Sequence, residues 1–147
     1  MTMSNQDVTT HKFVALLSKK AETGKAMNAL AHMAVGLGAS LSPAQRDAMG
    51  LTEYIDADGN HHSNLSRNSF VILRADNSNQ IRALRAQAIG NGVLFIDFTN
   101  TMQEGTYIEQ LERTKKTSEK DLEYYGICLF GTIPEVSTLT KKFQLLK

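Results

Sequence analysis

The chain has 147 residues and a mass of 16.2 kDa, with 16 basic residues set against 15 acidic ones for a formal charge of +1. That length suits one domain with a core of its own, and the near-neutral balance argues against a protein whose main work is gripping nucleic acid without specificity. Cys128 stands alone, which excludes an intrachain disulfide framework, and no apolar run reaches the roughly 18 residues that a spanning helix needs.

The first ten residues are polar and aperiodic and read as a flexible N-terminal segment without the apolar core of a secretory leader, so the expected compartment is the cytoplasm. Residues 11–147 read as a single α/β domain. The apolar run Phe13, Val14, Ala15, Leu16, Leu17 suits a strand buried on both faces. A polar connection, 18–23, leads to a helix from Gly24 to about Leu37, with Thr23 placed to cap it and Gly36 and Gly38 as candidates for its end. A short helix over 41–50 follows, with Ser42 as cap and Pro43 at the first helical position. Residues 52–55 are extended in character, and 56–60 form a turn.

Residues 70–73 make a second buried strand. A helix over 77–90 follows, its stripe drawn by Ile81, Leu84, Arg85 and Ala88, and Gly90-Asn91-Gly92 turns the chain into a third strand, 93–98. The charged segment 104–123 reads as one amphipathic surface helix with frayed ends and sparse anchors at Tyr107, Ile108 and Leu111. A fourth strand covers 124–130, and a last helix covers 134–142. The apolar tail 143–146 is placed at a sheet edge. Strands alternating with helices predict a three-layer α/β/α fold with a mixed four-stranded sheet.

The first helix carries the sharpest functional signal. At 100° per residue, Lys25, Asn28 and His32 fall within about 60° of one another on one stripe. Met27, Leu30, Ala31 and Ala34 fall opposite and are expected to face the core. Both flanks are nearly free of charge, so the outer face is expected to meet a partner subunit, another layer or a cleft wall, and a homodimer is expected. Gly24 and Lys25 open the helix where its positive end favours an anion. Two readings stand side by side: an anion site, or a solvated lysine. His32 likewise reads as a site residue or as a structural histidine.

The stretch 12–34, with its strand, polar loop, Gly24-Lys25 and His32, resembles the opening of the type II peptidyl-tRNA hydrolases, whose motif is a strand ending in Asp-Leu, then Gly-Lys, then Gln-x-x-His. Residues 94–101 resemble that family's Ile-x-Asp-Ala-Gly-Arg-Thr segment. Gly131, Pro134 and Leu145-Leu146 resemble its C-terminal turn and edge. A closer resemblance is to a family of small bacterial proteins classed as a domain of unknown function with that same hydrolase-like fold. The run FVALLSKKAETGKAMNALAHMAVGLGA and the Asp-x-Asp-Gly turn at 56–59 carry it.

The resemblance implies catalytic roles for Lys25 and Asp97, with His32 in support. Ser18, Gly24, Lys25, Asn28, Thr99 and Thr101 become candidate ligand contacts. Four departures stand against inherited chemistry: Ser18 replaces the strand-end aspartate, Ala29 the glutamine, and Thr99 and Asn100 the Gly-Arg pair. Asp97 also reads as a loop cap. The calcium-like start at Asp56, Asp58 and Asn60 fails at its sixth position, His61, and its twelfth, Arg67. His61 and His62 are neighbours that point apart on extended backbone, Cys128 reads as a small buried hydrophobe, and no metal or cofactor is expected. The expected function is binding of an anionic small molecule without retained hydrolase chemistry. The alternative is a hydrolase of an acyl or ester bond, with tRNA as a partner under that reading alone.

Overall fold

In a computed structural model, residues 9–147 are described; residues 1–8 of the N-terminal segment lie outside them. The described residues form fourteen short elements, which build two sheets and their covering helices. Strand β1 (His11–Ser18) occupies the centre of a five-stranded mixed sheet whose order is β5-β6-β1-β4-β7. Its side chains from Phe13 to Ser18 are buried without interruption, the signature of a strand covered on both faces. It pairs parallel to β4 (Phe70–Ala75) and antiparallel to β6 (Tyr124–Thr132). β5 (Leu94–Thr99) pairs antiparallel to β6 and so runs with β1 and β4.

The sheet has five strands where the sequence reading expects four. The difference is the tail: β7 (Gln144–Leu145) pairs antiparallel to β4 through Leu73↔Leu145 and Arg74↔Gln144. The tail therefore lies at a sheet edge, as its apolar character predicts. A second, two-stranded sheet was not expected: β2 (Leu51–Ile55) and β3 (His61–Ser66) form a hairpin around the turn at 56–60.

One face of the large sheet carries α3 (Ser78–Gly90) and α5 (Ile133–Thr140). There Val14, Leu16, Leu73, Ile127 and Leu129 meet Ile81, Leu84, Ala88 and Val136. The other face carries α1 (Thr23–Ala39), which packs Ala29, Met33 and Leu37 on Ala15, Leu17, Phe98 and Cys128. The result is a three-layer α/β/α fold around a mixed sheet. Ser42 caps α2 (Pro43–Met49) with a reciprocal capping box, and Gly50 ends it at φ 61°, a left-handed angle that glycine adopts without a Cβ penalty.

Helix α1 is rotated and extended relative to its expected form. It begins one residue early at Thr23, with Glu22 in the cap position and no side-chain cap bond, and it runs through both Gly36 and Gly38 to Ala39. Its buried face is Ala26, Ala29, Met33 and Leu37, whereas Met27 and Val35 are 65% and 74% exposed. Small residues explain the rotation, because Ala26 and Ala29 let the helix axis approach the sheet and Gly126 leaves room for Met33. A Cβ at Gly126 would stand 2.7 Å from Met33 Cε and 2.8 Å from Leu17 Cδ2. The segment 104–123 is also shorter in its helix than expected: α4 spans Tyr107–Lys115, and a single 3-10 turn covers Glu119–Asp121.

Candidate functional site

Helix α1 crosses one face of the sheet and leaves a cleft on each flank. The first cleft, about 530 Å³, lies between α1, the edge strand β5 and the segment leading into α4. Asn28 and His32 form its helix wall, Gln103, Tyr107 and Gln110 stand opposite, and Ile96, Phe98 and Met33 contribute the apolar floor. The His32 ring stacks on Phe98 with centroids 5.8 Å apart, so the imidazole has a fixed plane and an exposed edge. The lining side chains that carry hydrogen-bonding groups are mostly neutral.

The sequence-derived candidates are partly brought together here. Asn28, His32 and Asp97 border this cleft. Lys25 lies one turn before Asn28 on the same stripe, near enough to Tyr125 to favour its phenolate against the desolvation and acidic neighbours that raise its pKa overall. Gly24 is exposed in the first turn of α1, with open space where a Cβ would stand.

Asp97 does not converge with Lys25. Alternation along β5 places it on the same side as Phe95, which packs in the α3 cluster, whereas Ile96 and Phe98 pack under α1. Its Oδ2 accepts a hydrogen bond from Arg85 Nε at 2.8 Å. This bond is the largest cause of the raised pKa of Arg85, and that guanidinium also lies over the Phe95 ring. The carboxylate is therefore committed to α3 and not to a loop cap.

Thr99 and Thr101 are buried and committed in the same way. Their hydroxyls are 2.8 Å apart, and Thr101 Oγ1 is 2.8 Å from Thr114 Oγ1 of α4. Arg113 donates to the carbonyls of Thr101 and Glu104. This network fixes the last turn of α4 against the end of β5 and the segment that follows it. Ser18 lies elsewhere: it is buried at the end of β1, accepts the Lys20 N–H at 3.3 Å through its Oγ, and borders the cleft on the far flank of α1.

Gln103, Tyr107 and Gln110 were missed in the sequence. Tyr107 and Gln110, three apart, share one face of α4, whereas Gln103 stands in the bend before it, a position that no helical spacing marks. Other groups have assigned roles within the fold. Burial pushes the Cys128 thiol up to about 12, which makes it a poor nucleophile. His61 pairs with Glu53 and His62 with Asp56, each at 2.9 Å. Among the described residues no group of three or more His, Cys, Asp or Glu side chains is arranged to hold a metal, and no helix is long and apolar enough to cross a membrane.

A family model described as a protein of unknown function, DUF2000, matches residues 11–147. The chain belongs to the DUF2000 family. A solved structure of a protein of unknown function from Agrobacterium tumefaciens strain C58 is similar over 93% of this chain and 98% of that one, at 18% identity and a TM-score of 0.75. At that identity the likeness speaks for the fold alone. No curated protein matches the chain.

Proposed function

We propose that this DUF2000 chain binds a small anionic molecule in the cleft between α1 and the β5–α4 segment, without hydrolase chemistry. The observation that carries the reading is the wall made by Asn28 and His32, continued toward the helix start by Lys25, facing the amides of Gln103 and Gln110. Amide and imidazole N–H groups donate to oxyanions, and a nearby ammonium and helix N-terminus add positive potential. Thr23, Gly24 and Lys25 precede the first helical backbone bond, Ala26 N–H to Glu22 C=O, and no acidic residue occupies the first turn. Gly24 and Lys25 thus extend the ligand contacts beyond the cleft, while Thr99 and Thr101 hold the backbone at the end of β5.

The second reading, cleavage of an acyl or ester bond in the manner of the type II peptidyl-tRNA hydrolases, takes its support from the resemblance and from His32 beside the cleft. Lys25 would neutralise a developing oxyanion. Asp97 would act only through its hold on Arg85, and His32 would become the group able to move a proton. The engagement of Asp97 by Arg85 favours the binding reading.

Self-association into a homodimer belongs to the same proposal. Leu51, Tyr54, Ile55 and Leu65 are exposed on a hairpin whose outer strand edges pair with nothing in the large sheet. A second copy of the same strand supplies complementary hydrogen bonds.

The test is calorimetric titration of phosphate and malonate into the intact protein and into His32→Ala and Lys25→Ala. Binding that weakens about tenfold in each variant, the loss of one charge-assisted or oriented hydrogen bond, supports the assignment. Equal binding in all three proteins overturns it. Turnover of peptidyl-tRNA by the same preparation, abolished in His32→Ala, would replace it with the second reading.

A further inference from the structure

The far flank of α1 holds a different cleft. Helix α1 packs over β5, β6 and β1 and covers the corresponding face of β4 only in part, where Ile72 joins the edge of its cluster. Phe70, Ile72 and Arg74 project from β4 on that side, because Val71, Leu73 and Ala75 pack beneath α3 and α5. The tail closes the opposite edge. β7 is fixed to β4 through its backbone, and Leu146 donates its N–H to the Ile72 carbonyl at 3.0 Å. A cleft of about 570 Å³ remains between α1 and the tail, within the range typical of small-molecule sites.

Its chemistry has two parts. Leu17 and Ile72 make the floor, Ala26, Met27 and Leu30 make one wall, and Leu146 makes the other. Arg74, Lys19 and Lys147 stand around this apolar surface, and among the described residues no acidic side chain lines it. Lys19 is held by Asp76 at 3.0 Å, just outside the cleft. Arg74 donates to a neutral acceptor, Gln144 Oε1, at 2.6 Å and makes no carboxylate ion pair among the described residues. A guanidinium bonded to a neutral amide, with Asp76 near enough to feel its charge, thus sits at the rim of an apolar trough that one helix covers only in part. The exposed thioether of Met27 adds adaptable apolar surface over the opening.

We propose that this second cleft binds an amphipathic carboxylate, its chain lying on Leu17, Leu30, Ile72 and Leu146 and its carboxylate held by Arg74. The polar cleft on the near flank of α1 takes no part, so this site stands or falls independently of the proposed function. A carboxylate offers two oxygens to the guanidinium fork, and the apolar chain gains by leaving water. Neither half alone suffices, because an exposed ion pair contributes little and a chain without a head group makes no charge-assisted bond to Arg74.

Octanoate is the probe. Titrated into the intact protein and followed by amide and methyl NMR, it is expected to bind with a Kd on the order of 100 μM. It should shift Leu17, Met27, Ile72 and Leu146 and leave Asn28 and His32 unmoved. Arg74→Gln keeps an amide at the rim and lies on the surface; it should weaken octanoate about tenfold through the lost charge-assisted bond. Met27→Asp, also on the surface, should weaken it further by placing a carboxylate beside the apolar wall. 1-Octanol and acetate should each bind at least about tenfold more weakly than octanoate, since each lacks one half of the recognised group. Equal binding of octanoate and octanol, equal binding of octanoate and acetate, shifts confined to Asn28 and His32, or indifference to Arg74→Gln with an unchanged Tm would each overturn the proposal.

Discussion

The central strand β1 and the hairpin strands β2 and β3 are built from opposite kinds of contact. β1 is covered on both faces, and from Phe13 onward none of its side chains is left open to solvent. Among the described residues β2 and β3 pair only with one another, and their side chains are exposed almost throughout. The hairpin is anchored at its base, where Arg67 N–H binds the Gly50 carbonyl and the Asn68 amide donates to the Ala48 carbonyl at 2.8 Å. Isolated two-stranded hairpins are marginal in water. Packing on both faces therefore gives β1 its stability, whereas the hairpin depends on its turn, its anchor and whatever lies against its apolar side chains.

The largest expected effect breaks this comparison on the sheet side. Met33 is fully buried between α1 and the sheet. Met33→Ala should cost about 2–5 kcal/mol, the transfer loss plus the cavity that remains. Leu65→Ala, on the exposed hairpin strand, should cost about 0.5 kcal/mol or less. Urea denaturation of both variants checks the contrast. Comparable losses would mean that the hairpin is buried in solution against something else.

That possibility leads to the next, smaller effect. With the hairpin as the proposed self-association surface, sedimentation equilibrium at micromolar concentration should show a dimer of the 16.2 kDa chain. Leu65→Glu should weaken the dimer about tenfold by setting like charges across a twofold axis without touching the core. A monomer across the whole range would assign the exposed apolar residues to the hairpin alone.

The same contrast decides what the sequence disclosed. The run at 13–17 was legible because a strand buried on both faces needs no alternation. β3 was invisible because His61-His62-Ser63-Asn64-Leu65-Ser66 has neither a periodic pattern nor a buried side. The α1 boundary was readable to within a residue at its start, but its facing was not. The wheel put Met27, Leu30, Ala31 and Ala34 inward, whereas close approach to the sheet selects Ala26, Ala29, Met33 and Leu37 and turns Met27 out.

The candidate site divides along the same line. The Asn28–His32 stripe was legible because one helix fixes both residues. The fate of Asp97 was not, because it depends on which face of β5 looks at α3. A clue was available even so. Arg85 lies on the stripe of α3 with Ile81, Leu84 and Ala88, and a guanidinium on a core-facing stripe needs an anion. The tail was placed at an edge by its apolar character, while the cleft it completes depends on how little of β4 a single helix covers.

The smallest expected effect lies in the turn of the hairpin itself. Asp56 Oδ1 accepts the N–H groups of Asp58 and Asn60 at 2.9 Å each, and Oδ2 meets the Asn60 amide and the His62 ring. These bonds, led by the Asn60 backbone N–H and then His62, lower its carboxyl to about 2. An unfolded aspartate titrates at about 3.9, so the folded value is the depressed one. The contribution of this carboxylate is then fully present above about pH 4 and is lost as the pH falls toward 2. The expected observation is a coupled shift of the Asp58 and Asn60 amide resonances with a midpoint near 2, confined to the hairpin while the β1 amides stay in place. Asp56→Asn should remove that step and leave the β1 amides where they are, because an uncharged amide keeps an acceptor for one backbone N–H but cannot titrate. A midpoint at the ordinary carboxylate value would show that the turn is held by the β2–β3 ladder and not by Asp56.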